Sequence, residues 1–121
     1  WPVDLLVSTS RPGAFSPEDL EKYRQAFARP KAFTSMVNWY RAALQAPSER
    51  PDDFKVRLPL LLLWGVQDIA ILPEQADESM AFCENGRLVK FDDCSHWIEH
   101  EEAAAINPMI DEFFREAPPA A

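Results

Sequence analysis

The chain has 121 residues, 47% of them hydrophobic, and a formal net charge of −8 from 12 basic and 20 acidic side chains. This length allows one ordinary domain at most, and the apolar content is that of a globular protein. The acidic balance argues against a nucleic-acid partner, because binding to a phosphate backbone needs clustered lysine and arginine. No apolar run approaches the roughly 20 residues of a membrane-spanning helix, so a membrane partner is not expected either.

The first predicted element is a helix over residues 17–28. Residues 1–12 are mixed in character and predict no element, and we interpret Trp1 as an internal position of a longer protein, since no signal segment follows it. Ser16 is a suitable N-cap and Pro17 a suitable first helical residue. Pro30 ends the helix, because the residue before a proline avoids the helical region.

A second predicted helix follows Thr34, which can cap it. Apolar side chains then recur at helical spacing: Phe33, Met36, Val37, Tyr40, Ala43 and Leu44. This spacing predicts that Tyr40 lies on the buried face, where core packing is sufficient reason for a tyrosine. The polar, proline-bearing residues 47–53 are interpreted as a connector between two parts of the chain.

An apolar run, Leu60 to Trp64, predicts a strand that is buried on both faces of a parallel sheet covered by helices. In such sheets the chemistry lies beyond the carboxyl ends of the strands, where Asp68 stands. Capping of the next helix is the alternative role for Asp68. Ile69 and Ile71 follow it and are suited either to a nonpolar substrate or to a short buried loop, and a helix is predicted from Pro73 to about residue 82.

A second strand is predicted over residues 87–91, and its loop carries His96. Two successive strands therefore deliver an acid and then a histidine, which is the order of the last two triad members in α/β-hydrolases. Cys83 and Cys94 fit no metal spacing and are interpreted as free thiols of a cytoplasmic protein. Cys94 is an alternative nucleophile, although neighbours two positions apart on one loop rarely align with each other.

The segment after His96 completes the predicted elements. Trp97 is an apolar residue of the site loop, and His100 is predicted to be a solvated residue at a helix start. The acidic residues Glu99, Glu101 and Glu102 are interpreted as charges at that helix N-terminus. Because an interior proline costs roughly 3 kcal/mol, a break is expected before Pro108, with a final helix beginning there.

These residues together resemble a known family. Leu63-Trp64-Gly65-x-x-Asp68, followed by Ser95-His96-Trp97-Ile98-x-x-Glu101, is similar to the carboxy-terminal part of α/β-hydrolases of the epoxide hydrolase and haloalkane dehalogenase group. Asn38-Trp39-Tyr40-Arg41 resembles the cap tyrosine motif of epoxide hydrolases. The resemblance covers residues 14–114. In this chain Ser95 stands where the family usually has glycine.

The resemblance implies an α/β fold in which residues 1–50 are part of a helical cap and its connector. Residues 51–121 would be the carboxy-terminal part of the α/β-hydrolase core, with its last two parallel strands and flanking helices. It implies the catalytic residues Asp68, His96 and Tyr40, and no metal or organic cofactor. The implied substrate is a small nonpolar epoxide, and the residues expected to bind it are Trp39, Ile69, Ile71 and Trp97.

The nucleophile of this chemistry is not expected within the chain. None of the three glycines belongs to a nucleophile elbow, and two strands are too few for a stable parallel sheet. The expected partner is therefore an N-terminal half of the same protein, and a homodimer is left open. Two alternatives stay open: a dehalogenase that uses the same ester chemistry, and a non-catalytic interaction fragment.

Overall fold

The computed structural model describes residues 2–45 and 54–116. The expected connector over residues 47–53, Trp1 and the predicted tail from Ala117 lie outside the described residues. The elements in chain order are α1 (Pro2–Thr9), α2 (Pro17–Ala28), α3 (Ala32–Gln45), β1 (Leu60–Gly65), α4 (Glu74–Met80), β2 (Gly86–Phe91), α5 (Ile98–Glu101) and α6 (Ala103–Glu116).

The two predicted strands form a parallel pair. Their register runs from Leu60 beside Gly86 to Gly65 beside Phe91, so β2 begins one residue earlier than predicted. The predicted burial on both faces is wrong for the described residues, because Leu60 to Trp64 are each only partly buried. The helices α4, α5 and α6 pack on this pair, but they leave Leu60 to Trp64 partly accessible to solvent.

The helix α2 forms as its sequence predicts. The Ser16 side chain accepts a hydrogen bond from the Asp19 amide at 3.1 Å, and the Asp19 carboxylate accepts one from the Ser16 amide at 3.1 Å. This reciprocal capping box satisfies two backbone donors that a helix start leaves without partners. The predicted cap of α3 is wrong, since α3 begins at Ala32 and Thr34 lies inside it.

A helix that the sequence did not predict opens the described chain. α1 begins with Pro2 at a favoured N-terminal position, and its apolar face buries Val3 and Leu6. At 8 residues it is too short for its hydrophobic periodicity to stand out. Its burial against other elements stabilises it, and its C-terminal end lies beside the site described below.

The break predicted before Pro108 is wrong, because α6 is one continuous helix with Pro108 inside it. Proline removes one hydrogen bond in the early part of this helix. Burial of Ile106 ahead of the proline and the apolar stripe beyond it, which includes Ile110 and Phe113, favours a continuous face. The cost of one proline is thus offset by packing on both sides of it.

The buried apolar side chains of the described residues are few: Val3, Leu6, Ala76, Cys94 and Ile106. Ala76 lies on α4, as predicted, although α4 ends at Met80 rather than near residue 82. Over residues 2–45 and 54–116, no helix has the length and apolarity that crossing a membrane requires.

Candidate active site

The site lies where the two parallel strands end, because their carboxyl ends meet at one edge of the sheet. The Gln67 amide donates to the Cys94 carbonyl at 2.8 Å and the Val66 amide donates to the Phe91 carbonyl at 3.0 Å. A Cβ atom placed on Gly65 would overlap the backbone of Cys94 and Ser95. The loop after β1 and the loop after β2 are thus held against each other by their backbones.

Asp68 and His96 meet across these loops. The His96 Nδ1 atom lies 2.8 Å from Asp68 Oδ2, although 28 positions separate the residues. The other carboxylate oxygen of Asp68 accepts the amides of Ala70 at 2.7 Å and Ile71 at 3.0 Å. Asp68 therefore faces the histidine and accepts the amides of the turn that follows β1. Its alternative role as the cap of the next helix is wrong, because α4 begins at Glu74 with Pro73 at its N-cap position.

The environment of Asp68 favours its charged form. Burial raises the pKa of its carboxyl, but hydrogen bonds from His96 and from the Ile71 and Ala70 amides outweigh burial, and the pKa lies below the ordinary aspartate value. An ionised carboxylate only accepts hydrogen bonds. The proton in the contact is accordingly on His96 Nδ1, which leaves Nε2 as the basic nitrogen of the ring.

An open cavity of about 370 Å³ adjoins His96. It is lined by residues of α1, α3 and both loops: Leu5, Thr9, Tyr40, Ile69, Ala70, His96 and Trp97. A smaller cavity of about 140 Å³ lies on another side of the pair, and Asp68, Ile71 and His96 are among its lining residues. The predicted residues Tyr40, Ile69 and Trp97 thus share one cavity with His96, whereas Ile71 lines the other.

The predicted burial of Tyr40 is wrong. Its side chain is 70% exposed, and its neighbours on the apolar face, Met36 and Leu44, are exposed as well. Among the described elements α3 packs against α2, and this contact leaves the apolar face open toward the cavity. Trp39, predicted to bind substrate, is 75% exposed and is not part of the cavity wall that contains Tyr40.

Trp97 is fixed by the unpredicted helix α1. Its indole N–H donates to Thr9 Oγ1 at 2.8 Å, and its ring meets the His96 ring edge-on at a centroid distance of 5.2 Å. Sequence reasoning missed Thr9 and Leu5 because it assigned no element to residues 1–12. The signal available was Pro2 followed by apolar residues at positions 3 and 6.

Glu101 was interpreted as a charge at a helix N-terminus, and this is wrong, because it is the last residue of α5 and is buried. The residue is only 8% exposed, and its carboxylate accepts three hydrogen bonds from Arg11 and Ser95. His100 was also expected to be solvated, but its Nε2 lies 3.0 Å from the Tyr23 hydroxyl and its ring lies against Phe15. The segment before α2 packs onto α5 and contacts both Glu101 and His100. No local sequence pattern predicted this packing.

Cys94 is poorly suited to be a nucleophile. It is 1% exposed, and burial raises the pKa of its thiol, which disfavours the reactive thiolate. His96, its proposed base, is directed to Asp68 instead. Cys83 and Cys94 are both free, as predicted. Over residues 2–45 and 54–116, no three His, Cys, Asp or Glu side chains converge in the way a metal site needs.

The sequence is similar to that of several curated proteins. It is 35% identical over 114 residues to the AB hydrolase superfamily protein YfhM of Bacillus subtilis (strain 168), covering 93% of this chain and 40% of that protein. It is 31% identical over 100 residues to epoxide hydrolase 1 of Caenorhabditis elegans, covering 82% of this chain and 24% of that protein. It is equally similar, at 31% over 100 residues, to human epoxide hydrolase 4. The chain thus spans well under half of each of these relatives, and no family model matches it.

The fold is that of solved epoxide hydrolases. An inhibitor complex of the Bacillus megaterium epoxide hydrolase superposes with a TM-score of 0.74 at 22% identity, over 94% of this chain and 42% of that one. The M145A mutant of an epoxide hydrolase from the same organism gives a TM-score of 0.72 over 86% of this chain and 39% of that chain. By sequence, this chain is homologous to the C-terminal part of proteins named AB hydrolase and epoxide hydrolase, and its fold is that of the corresponding part of solved epoxide hydrolases.

Proposed function

We propose that this chain supplies the acid, the histidine and the oxygen-protonating tyrosine of an enzyme that converts epoxides to diols through an aspartyl-ester intermediate. The observation that carries the proposal is the Asp68–His96 hydrogen bond at the edge of a cavity that Tyr40 also lines. The similarity to epoxide hydrolases supports the substrate class. The nucleophilic aspartate belongs to an N-terminal half of the same protein, which is the proposed partner.

In the first step the nucleophilic carboxylate attacks an epoxide carbon, and the bond between that carbon and the ring oxygen breaks. The electron pair stays on the oxygen, which takes a proton from the Tyr40 hydroxyl. A phenol suits this task because it is protonated at neutral pH and can donate to a developing alkoxide. The product is a hydroxyalkyl ester of the enzyme, and solvent returns the proton to Tyr40.

In the second step His96 Nε2 takes a proton from water, and the resulting hydroxide adds to the ester carbonyl. Asp68 holds the Nδ1 proton in place and stabilises the positive imidazolium, without itself taking up a proton. Collapse of the tetrahedral intermediate frees the nucleophile as a carboxylic acid, and the departing alkoxide receives the proton from His96. The acid then releases its proton to solvent, which balances the proton that Tyr40 took from solvent after the first step and restores the carboxylate. A diol leaves, and the enzyme returns to its starting state.

The wall of the cavity suits a nonpolar substrate. Leu5, Ile69 and Trp97 supply apolar surface around the polar atoms of Tyr40 and His96, which is the usual composition of a small-molecule site. The free thiols of Cys83 and Cys94 support a reducing, cytoplasmic location. Trp39 and Ile71 are proposed to contact only larger substrates, since neither lines this cavity.

The direct test compares the purified chain with the chain completed by an N-terminal half that carries the nucleophile. The isolated 121-residue chain should not hydrolyse styrene oxide, and the completed enzyme should form the diol. Turnover by the isolated chain would contradict the assignment of the nucleophile to another segment. Absence of diol formation in a folded completed enzyme would favour the non-catalytic alternative.

A further inference from the structure

The segment that carries His96 is anchored by a buried carboxylate on α5. Glu101 Oε2 accepts the Ser95 amide at 2.6 Å, and Oε1 accepts the Ser95 hydroxyl at 2.6 Å and the Arg11 amide at 2.7 Å. The Ser95 hydroxyl oxygen also accepts the Trp97 amide at 3.2 Å. The residues on both sides of His96 are therefore tied, directly or through Ser95, to one carboxylate.

The environment of Glu101 favours the charged form of its carboxyl. Burial raises the pKa of its carboxyl, but the Arg11 amide and the two Ser95 donors outweigh burial and hold the pKa below the ordinary glutamate value. The Arg11 guanidinium donates to the Glu101 carbonyl and pairs with the Glu102 carboxylate at 2.8 Å. An ionised carboxylate with several donors is a strong anchor, because hydrogen bonds to charged groups are about twice as strong as neutral ones.

We infer that Glu101 is a positioning residue for His96, acting through Ser95 to set the direction of the imidazole, while Arg11 holds Glu101 in place. This inference rests on the proposed function, because it concerns the step in which His96 activates water. Among the hydrogen bonds and ion pairs of residues 2–45 and 54–116, none joins Glu101 to Tyr40, which lies on α3. The anchor should consequently matter for hydrolysis of the ester and not for its formation.

Glu101→Gln in the completed enzyme keeps the side-chain volume but replaces one acceptor oxygen with a donor. A backbone amide of Ser95 or Arg11 then loses its partner, and the His96 loop shifts. Since misplacement by about 1 Å can cost about 10²-fold, we expect ester hydrolysis to slow by about 10-fold to 100-fold. Ester formation should stay within about twofold of wild type, because it does not use His96.

Glu99→Gln is the matched control: the same chemical change on the same short helix, at an exposed position. Single-turnover measurements should separate ester formation from ester hydrolysis in each variant, and the control should behave as wild type. If Glu101→Gln does not fold, Ser95→Ala, which removes only the hydroxyl contacts, should show the same selective effect at a smaller size.

Equal slowing of both steps in Glu101→Gln, or in Ser95→Ala if that replaces it, would reduce Glu101 to a structural residue and overturn the inference. Unchanged ester hydrolysis would overturn it as well. Either result leaves the proposed function intact as long as wild type passes through an ester. If the wild-type enzyme forms no ester at all, the proposed function itself is wrong. Failure of the proposed function is thereby distinguished from failure of the inference about Glu101.

Discussion

Tyr40 lines the cavity from α3, a helix that packs against α2. Helical spacing identified its apolar face correctly but could not say what that face meets. In the described residues the face is open, and Tyr40 shares the cavity with His96 from the opposite part of the chain. A tyrosine that is largely exposed and lines the same cavity as His96 is not held there by core packing.

Replacing Tyr40 by phenylalanine tests this role. The substitution removes the hydroxyl and keeps the ring, so ester formation from an epoxide should slow by about 10²–10³, the range for loss of one donor to a developing oxyanion. Thermal stability should hardly change, because the side chain is exposed. Single-turnover kinetics with thermal melts of both proteins provide the measurement.

The neighbouring Trp39→Phe variant is the control for Tyr40→Phe, since Trp39 lies on the same helix and outside the cavity wall. Equal rates of ester formation on an epoxide for wild type and Tyr40→Phe would return Tyr40 to a packing role. They would also reopen the dehalogenase alternative, in which halide leaves without needing a proton donor.

At the scale of elements, the site depends on how closely β1 approaches the loop after β2. Gly65 is the last residue of β1 and lies against the carbonyl groups of Cys94 and Ser95. A side chain there would push apart the two loops that carry Asp68 and His96. The glycine is thus required by close approach of two backbones, since its own conformation is ordinary.

Gly65→Ala should therefore impair both stability and activity. Overpacking against backbone costs about 1–3 kcal/mol or more, and separation of the loops should lengthen the Asp68–His96 contact and lower diol formation. Unfolding melts and turnover of the completed enzyme measure the two effects.

Gly13→Ala is the contrasting variant. Gly13 has a positive φ of 84° with open space around its Cβ position, so alanine should cost about 1–2 kcal/mol through the backbone alone while turnover stays normal. Wild-type turnover in Gly65→Ala would show that the close approach of the loops does not position the pair.

The elements that the sequence predicted well are those whose signals are local. The two strands follow from their apolar runs, and α2 follows from Ser16 and Pro17. The order of Asp68 and His96 along the chain was enough to predict their contact, because parallel neighbouring strands end at one edge. The break predicted at Pro108 does not form, because packing on both sides of the proline outweighs its local penalty.

At the scale of the whole molecule, the unpredicted features are those that long-range contacts create. In the sequence, Glu101 resembles any acidic residue at a helix start. Its contact with Arg11, 90 positions away, appears only in the folded chain. The hydrogen bond between Trp97 and Thr9, which lie 88 positions apart, likewise has no signal in the local sequence. Through Thr9 and Arg11, these contacts fasten the segment before α2 to the histidine loop and to α5, so the described part of that segment packs against the site.

The apolar face of α3 and the strand β1 are both incompletely covered in the described residues. Both present surface that a larger hydrolase fold would cover, and the relatives are more than twice the length that this chain spans. Activity is therefore proposed for the completed enzyme, with this chain contributing the groups that protonate the epoxide oxygen and activate water.

The most direct test of that claim is the intact mass of the completed His96→Gln enzyme after exposure to an epoxide. Ester formation needs the nucleophile and Tyr40, whereas ester hydrolysis needs His96 as base. We expect a persistent mass increase equal to one epoxide molecule, together with loss of diol formation. His100→Gln, a change at the other of the two histidines, should turn over without a persistent adduct. A His96→Gln enzyme that forms diol at the wild-type rate, or that loses activity without accumulating an adduct, would contradict the account.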